Sequence, residues 1–574
     1  MLFHIVFSVL FLLSIGFLEL NKNSLVGWAL VIALFVGFYL LRRHYKQLAR
    51  MPMRLVSWAC LALLLGVVVR LTWPSERPVK AVKATNPPLT EVVHAPCGDV
   101  QGVVDVANGI EVFAGIPYAK PPIGELRWRK PQEADRWEGV LACDEFAPMS
   151  MQQRNMPFMD SLTQIVGYHD YEISLFDNHI EPVSEDSLYL NIWRPKDGGE
   201  DLPVIVFIHG GSLQTGQPWY GDYAGTGMAK KGAVFVNMGY RLGVFGFLTD
   251  EDMLASEQTS GNYGLLDQIK ALEWVRDNIE AFGGDPGNVT LAGESAGAVC
   301  VSALCTSAKA KGLFRRAVLE SSTLASKEPP HSFRLLDEAI SSGRDLMQRH
   351  GCANVDELRQ CSSEELVGEM QTQHHVTIDG YVLERTPYES YMLGEFNEEK
   401  ILHGFNSHES GPFIIFSQAN MKNYEEKVKE HFGDYAARVL ALYPASSDEE
   451  ASVAWANIYG ALFFNYQHHC LERMAQRNNI PSALYYFAKE NGRLGSWHSG
   501  EMAYMYGNIP EDSRLYDESD RILSTTMQDY LYAFAKDGTL SFESMTRLST
   551  KVETITDPNL ALYEILDEMT GWGQ

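Results

Sequence analysis

Apolar positions cluster at the start of the chain. Residues 1–18 are almost wholly apolar, 25–41 are apolar throughout, and 55–69 are apolar up to Arg70. A helix needs about 17–25 such residues to cross a bilayer core. The first two runs reach that length, and the third falls short unless 71–73 extend it. Met1-Leu2-Phe3-His4 carries no lysine or arginine and no A-x-A-like site follows, so the first run reads as a span, not a cleaved leader. The pattern predicts an anchor of about three transmembrane helices over 1–73. A two-helix anchor with the first run buried or interfacial is the alternative. A proline- and lysine-rich linker follows over 74–90.

Beyond the linker the pattern changes. Short β-branched apolar runs, such as Leu202-Pro203-Val204-Ile205-Val206-Phe207-Ile208 and Asn288-Val289-Thr290-Leu291-Ala292, read as buried strands and alternate with helical stretches. That alternation predicts one enlarged α/β domain over 91–574. Residues 151–183 and the helical stretch 333–371 are the candidate insertions.

Charge divides along the same boundary. Residues 1–90 hold ten basic and two acidic side chains, and the remainder 37 basic against 71 acidic. So acidic a domain does not bind nucleic acid through phosphate contacts. The loop between the second and third runs carries Arg42, Arg43, Lys46, Arg50 and Arg54, whereas 19–24 has only Lys22. The positive-inside rule puts the basic loop in the cytoplasm, so the third span exits and the large domain is extracytoplasmic.

Eight cysteines at this length are not a disulfide framework. His468-His469-Cys470 lies in a helix-like stretch where adjacent side chains point apart, a poor metal site. No phosphate loop, dinucleotide fingerprint or zinc spacing is present, and no cofactor is implied. The sequon at Asn288 falls on a strand and reads as inaccessible.

The chemistry centres on Gly293-Glu294-Ser295-Ala296-Gly297, a G-x-S-x-G nucleophile elbow. The strand of 288–292 precedes it and the small apolar run 298–304 follows, which is the strand–turn–helix setting the motif requires. A serine hydroxyl needs a base, an acid to orient that base, and donors for the oxyanion. His209-Gly210-Gly211-Ser212, directly after the apolar strand of 202–208, is the candidate oxyanion turn. Sixteen histidines compete for the base on residue type alone, His209 and His408 among them.

These motifs, with Gly115-Ile116-Pro117-Tyr118-Ala119, Ser184-Glu185-Asp186, Tyr240-Arg241-Leu242-Gly243 and Phe282-Gly283-Gly284-Asp285-Pro286 in order, resemble the type-B carboxylesterases, the family of cholinesterases and bacterial p-nitrobenzyl esterases. The likeness runs from about Cys97 to about Pro510. It implies an α/β-hydrolase fold with a central, mostly parallel sheet, and a serine esterase acting on a small-molecule ester. It implies Ser295 as nucleophile, Glu409 as acid and His498 as base, with Gly211, Ser212 and Ala296 as oxyanion donors. Glu294, Ser321 and Glu501 fall near the triad. A non-enzymatic recognition module, or a lipase, lactonase or carbamate hydrolase on the same triad, is the alternative.

Three departures stand out. Ser150 and Ser187 occupy the positions of the family's first disulfide. The segment between them lacks the tryptophan with which cholinesterases hold a quaternary ammonium. Gly239 stands where asparagine is usual, and Ser212 where a smaller residue is. Cys352 and Cys361 lie near a bridge common in the family, and their sequence leaves both a bond and two free thiols open.

Overall fold

The computed structural model describes residues 2–45, 51–154, 156–159, 161, 178–490, 495–511, 513 and 515–572. It separates into two compact units, Met1–Val79 with Arg154–Pro182, and Lys80–Gln153 with Val183–Gln574.

The first unit holds three helices, α1 (Leu2–Leu20), α2 (Leu25–His44) and α3 (Met51–Leu71). All three are long and apolar enough to cross a membrane. The third reaches that length because it starts before the apolar run, and Arg54 near its end can extend its charge toward the interface. A narrow seam of Leu18, Val31, Phe35, Leu61 and Val68 is buried, while Leu12, Leu13, Leu55 and Leu63 face outward. An apolar exterior suits lipid, not water.

The ends of the helices are tied by polar groups. Asn21 Nδ2 donates to Asn23 Oδ1 (2.6 Å), and Asn23 Nδ2 donates to Val69 O (2.8 Å) and Thr72 Oγ1 (3.1 Å). The same knot holds the inserted segment: Ser161 Oγ donates to Leu20 O (2.7 Å) and the Phe158 N–H to Asn21 Oδ1 (3.3 Å). Ser75–Glu76 pairs in parallel with residues 179–180. Within the linker expected over 74–90, Ser75–Glu76 pairs as a strand, and Phe158 and Ser161 of the insertion expected at 151–183 hydrogen-bond to Asn21 and Leu20.

The second unit is built on an eleven-stranded sheet. Its strands are β1 (Val103–Asp105), β2 (Ile110–Pro117), β3 (Tyr189–Pro195), β4 (Leu202–Ile208), β5 (Val234–Met238), β6 (Gly284–Glu294), β7 (Arg316–Glu320), β8 (Lys400–Asn406), β9 (Ser482–Phe487), β10 (Thr546–Leu548) and β11 (Val552–Thr554). Their spatial order is β1-β2-β3-β5-β4-β6-β7-β8-β9-β10-β11. From β5 through β10 every neighbour is parallel, and both edges are antiparallel. The continuous apolar run of β4 follows from this, because a central parallel strand is covered on both faces; Val204 through Ile208 are fully buried.

Three departures from the family pattern meet in space. A Cβ at Gly239 would lie 2.6 Å from Ser187 O and 3.6 Å from Ser150 Oγ. Asparagine would not fit there with Ser187 in its present place. The Cys352 and Cys361 sulfurs are 4.0 Å apart and unbonded.

Candidate active site

The sheet order gathers the predicted residues. The oxyanion turn follows β4, Ser295 follows β6, Glu409 comes three residues after β8 and His498 follows β9. All four leave the carboxyl ends of parallel strands in the middle of the sheet, where open α/β sheets place their sites.

The elbow has the expected strain. Ser295 sits at φ 56°, ψ −124°, directly before helix α4 (Ala296–Cys305). A Cβ at Gly293 would lie 2.6 Å from Gly297 C, and one at Gly297 would lie 2.0 Å from Ile208 O. Only glycine allows strand, turn and helix to approach this closely. The Ser295 N–H donates to Glu320 O at 2.8 Å, tying the turn to the end of β7.

Ser212 and Leu213 both hold positive φ, 56° and 58°, which is uncommon for residues with side chains. The turn is pinned on several sides. Gln214 and Thr215 N–H donate to Gly211 O, Tyr240 Oη donates to His209 O (2.9 Å), and the Gln152 amide exchanges two hydrogen bonds with Gly216. The N–H groups of Gly211, Ser212 and Ala296 donate to no acceptor among the described residues. They are three unspent donors at the ends of β4 and β6.

The histidines separate cleanly. His498 Nδ1 lies 2.6 Å from Glu409 Oε2, and both side chains are buried. Glu409 Oε1 accepts from the Asn406 N–H at 2.7 Å. His209 is instead buried against Tyr240, bonds to Gly210 O, and is held down to about 4 by burial. His408 engages Ser407 and Ser496. His468 stacks on His403, whereas His469 lies tilted against Tyr563, so the two adjacent histidines have different neighbours. No hydrogen bond joins Ser295 Oγ to His498, whose Nε2 has no hydrogen-bond partner and lies 3.4 Å from Glu294 Oε1. Apo hydrolases often hold this last contact loose until substrate closes it.

Three buried carboxyls, Glu294, Glu409 and Glu501, act on the imidazole, and a fourth, Glu320, interacts with Glu294 and Glu501. Burial alone would lower the His498 pKa, but Glu294, Glu409 and Glu501 outweigh it and raise it to about 9. Burial raises Glu501 to about 8, with Glu409 and Glu294 adding to the rise, and holds Glu320 well above the ordinary carboxylate range. Ser499 Oγ donates to Glu294 (2.6 Å), Ser321 Oγ to Glu501 (3.0 Å) and Tyr506 Oη to Glu320 (2.6 Å). Phe413 and Phe464 wall the imidazole, with ring centroids 5.0 and 4.9 Å away. Phe464 lies in a π-helical turn, Ala461–Asn465, within a longer helical run. The sequence pattern does not single out Asn406, Ser499, Glu320, Phe413 or Phe464. Only Asn406, three residues before Glu409, carries a local signal.

The arrangement suits acyl transfer from an ester, and comparison with known proteins agrees on ester hydrolysis. The carboxylesterase family model matches residues 89–571. The chain belongs to the carboxylesterase family. The fumonisin B1 esterase of Sphingopyxis macrogoltabida is 32% identical over 485 residues, covering 80% of this chain and 84% of that protein. The para-nitrobenzyl esterase of Bacillus subtilis is 28% identical, covering 79% and 91%. The crystal structure of the Geobacillus stearothermophilus carboxylesterase EST55 at pH 6.2 superposes with a TM-score of 0.70 at 27% identity, covering 83% of this chain and 99% of that one. The protein is thus a carboxylic ester hydrolase with an α/β-hydrolase fold. Of Ser150, Ser187, Gly239 and Ser212 in this esterase, only Ser212 belongs to the turns that form the candidate site.

Proposed function

We propose that the protein is a membrane-anchored serine carboxylesterase whose catalytic unit faces away from the cytoplasm. One observation carries the catalytic part: a buried histidine held at 2.6 Å on a buried glutamate, with its other nitrogen making no hydrogen bond. Ser295 Oγ attacks the ester carbonyl carbon while His498 Nε2 takes its proton. Glu409 keeps the proton on Nδ1 and stabilises the imidazolium. The carbonyl oxygen becomes an oxyanion, received by the N–H groups of Gly211, Ser212 and Ala296. Collapse breaks the bond to the alkoxy oxygen, which leaves with the proton from His498. Water, deprotonated by the same histidine, then cleaves the acyl-enzyme. The three apolar helices and the basic loop between the second and third support the anchor and its orientation.

Ser295→Ala should fold normally, since the elbow accepts a smaller side chain. It should lose ester hydrolysis by about a thousandfold or more. A fluorophosphonate should label Ser295 alone in the wild type. A Ser295→Ala protein with a substantial share of the wild-type rate, or a label on another serine, refutes the assignment. A non-enzymatic recognition module has no use for an intact Ser295, Glu409 and His498, so the enzyme reading is preferred.

A further inference from the structure

The segment after Glu409 carries apolar side chains that stay exposed among the described residues. Phe413 is 42% exposed, Ile415 47%, Met421 48%, and Phe416 fully exposed. Scattered exposed apolar residues are ordinary, but four within residues 413–421, starting beside the candidate site, point to an interaction surface. Ile414 turns inward at 5% exposure, which fixes its neighbours outward. The patch begins at the reaction centre, because the Phe413 ring rests on His498.

Its charge is equally distinct. Residues 410–424 contain no aspartate or glutamate and one base, Lys422, although the unit as a whole is strongly acidic. An acid-free apolar stretch flanked by a lysine suits a phospholipid interface, where apolar side chains enter the acyl boundary and the ammonium meets headgroup phosphates. The chain also supplies the bilayer. Only residues 72–79 lie between the end of α3 and Lys80. A connection of that length spans at most about 30 Å, so an anchored chain keeps Lys80, where the catalytic unit begins, within that distance of the end of α3.

We propose that Ile415, Phe416 and Met421 form a lip that dips into the interface of the bilayer the anchor spans. Esters dissolved in the membrane then reach His498 without crossing water. The substrate class is a lipophilic, bilayer-borne carboxylic ester. This rests on the anchored-esterase reading, and the test separates the two.

The full chain is reconstituted in phosphatidylcholine vesicles. In the first arm Phe416→Trp is compared with wild type in plain and brominated phosphatidylcholine. The added emission should fall by about half or more in the brominated lipid. Equal emission in both lipids overturns the proposal, as it would if the lip met a protein partner or water instead. This arm needs no catalysis, so a failure of the esterase reading leaves it standing. In the second arm Ile415→Ser/Phe416→Ser should hydrolyse p-nitrophenyl palmitate dissolved in the vesicles about tenfold more slowly, with p-nitrophenyl acetate from water held within about twofold. An equal fall on both esters, or no fall on either, overturns it.

Discussion

At the scale of single residues, the proposed mechanism makes pH act through His498. Its base function needs neutral imidazole, and the surrounding carboxylates favour the imidazolium, raising its pKa to about 9. The neutral fraction therefore grows as pH climbs toward that value, and kcat/KM should keep rising well past neutrality. A histidine at its ordinary pKa of about 6.5 would level off near pH 8. Glu294→Gln removes a negative charge 3.4 Å from Nε2. The midpoint of the kcat/KM profile on a soluble ester should then move down by about one pH unit or more. A wild-type profile already flat above pH 7, or a Glu294→Gln midpoint that does not fall, rules out this account. Ser295, Glu409 and His498 stand out in the sequence because each sits in a distinctive local string. The charge around them is only partly legible there. Glu294 and Glu320 end two different strands and Glu501 caps a short helix, Met502–Met505, and in a string of letters a buried carboxylate looks like a solvated one.

At the scale of elements, the elbow shows why the motif is a demand on packing as much as a catalytic signature. An alanine methyl at position 297 would meet the Ile208 carbonyl oxygen at 2.0 Å, and neither backbone can yield without moving β4 or α4. Overpacked cores usually lose about 1–3 kcal/mol. Here the collision is with backbone, so Gly297→Ala should lie at or beyond the upper end, with a lowered melting temperature and lost hydrolysis. A Gly297→Ala protein with wild-type melting and rate would show that the turn is looser than this geometry. The strand, elbow and helix are readable from the apolar run, the glycines and the small residues after them. The π-helical turn carrying Phe464 is not. It arises from an extra residue accommodated inside a helical run, and its composition matches the α-helix on either side. The turn after β4 is signalled by its glycines, but the positive φ of Ser212 is invisible in the sequence, because it is imposed by the bonds pinning the turn and not by the residue itself.

At the scale of the whole molecule, the alternation of strands and helices reveals the α/β unit, and the long apolar runs reveal the three helices. The pairing of Phe158, Ser161 and residues 179–180 with the anchor unit is not legible, since it depends on single hydrogen bonds from the Phe158 N–H to Asn21 and from Ser161 to Leu20 and on a two-residue strand. It changes what proteolysis should do. Arg77 and Lys83 are exposed, whereas Lys80 is ion-paired with Asp144 and Glu145. With the catalytic unit outside the cytoplasm, trypsin added to sealed, right-side-out vesicles should cut after Lys83, because Pro78 protects the bond after Arg77. The cut severs the main-chain connection to α3, yet the fragment still carries 154–182, which grips the anchor through the Asn21 knot and the strand at Ser75–Glu76. The fragment should keep its esterase activity and stay on the membrane through a buffer wash, then come off in detergent. Activity protected from trypsin until the vesicles are lysed would reverse the orientation. Release into the buffer immediately after cleavage would mean that the knot does not hold, and that the covalent link alone had kept the esterase at the bilayer.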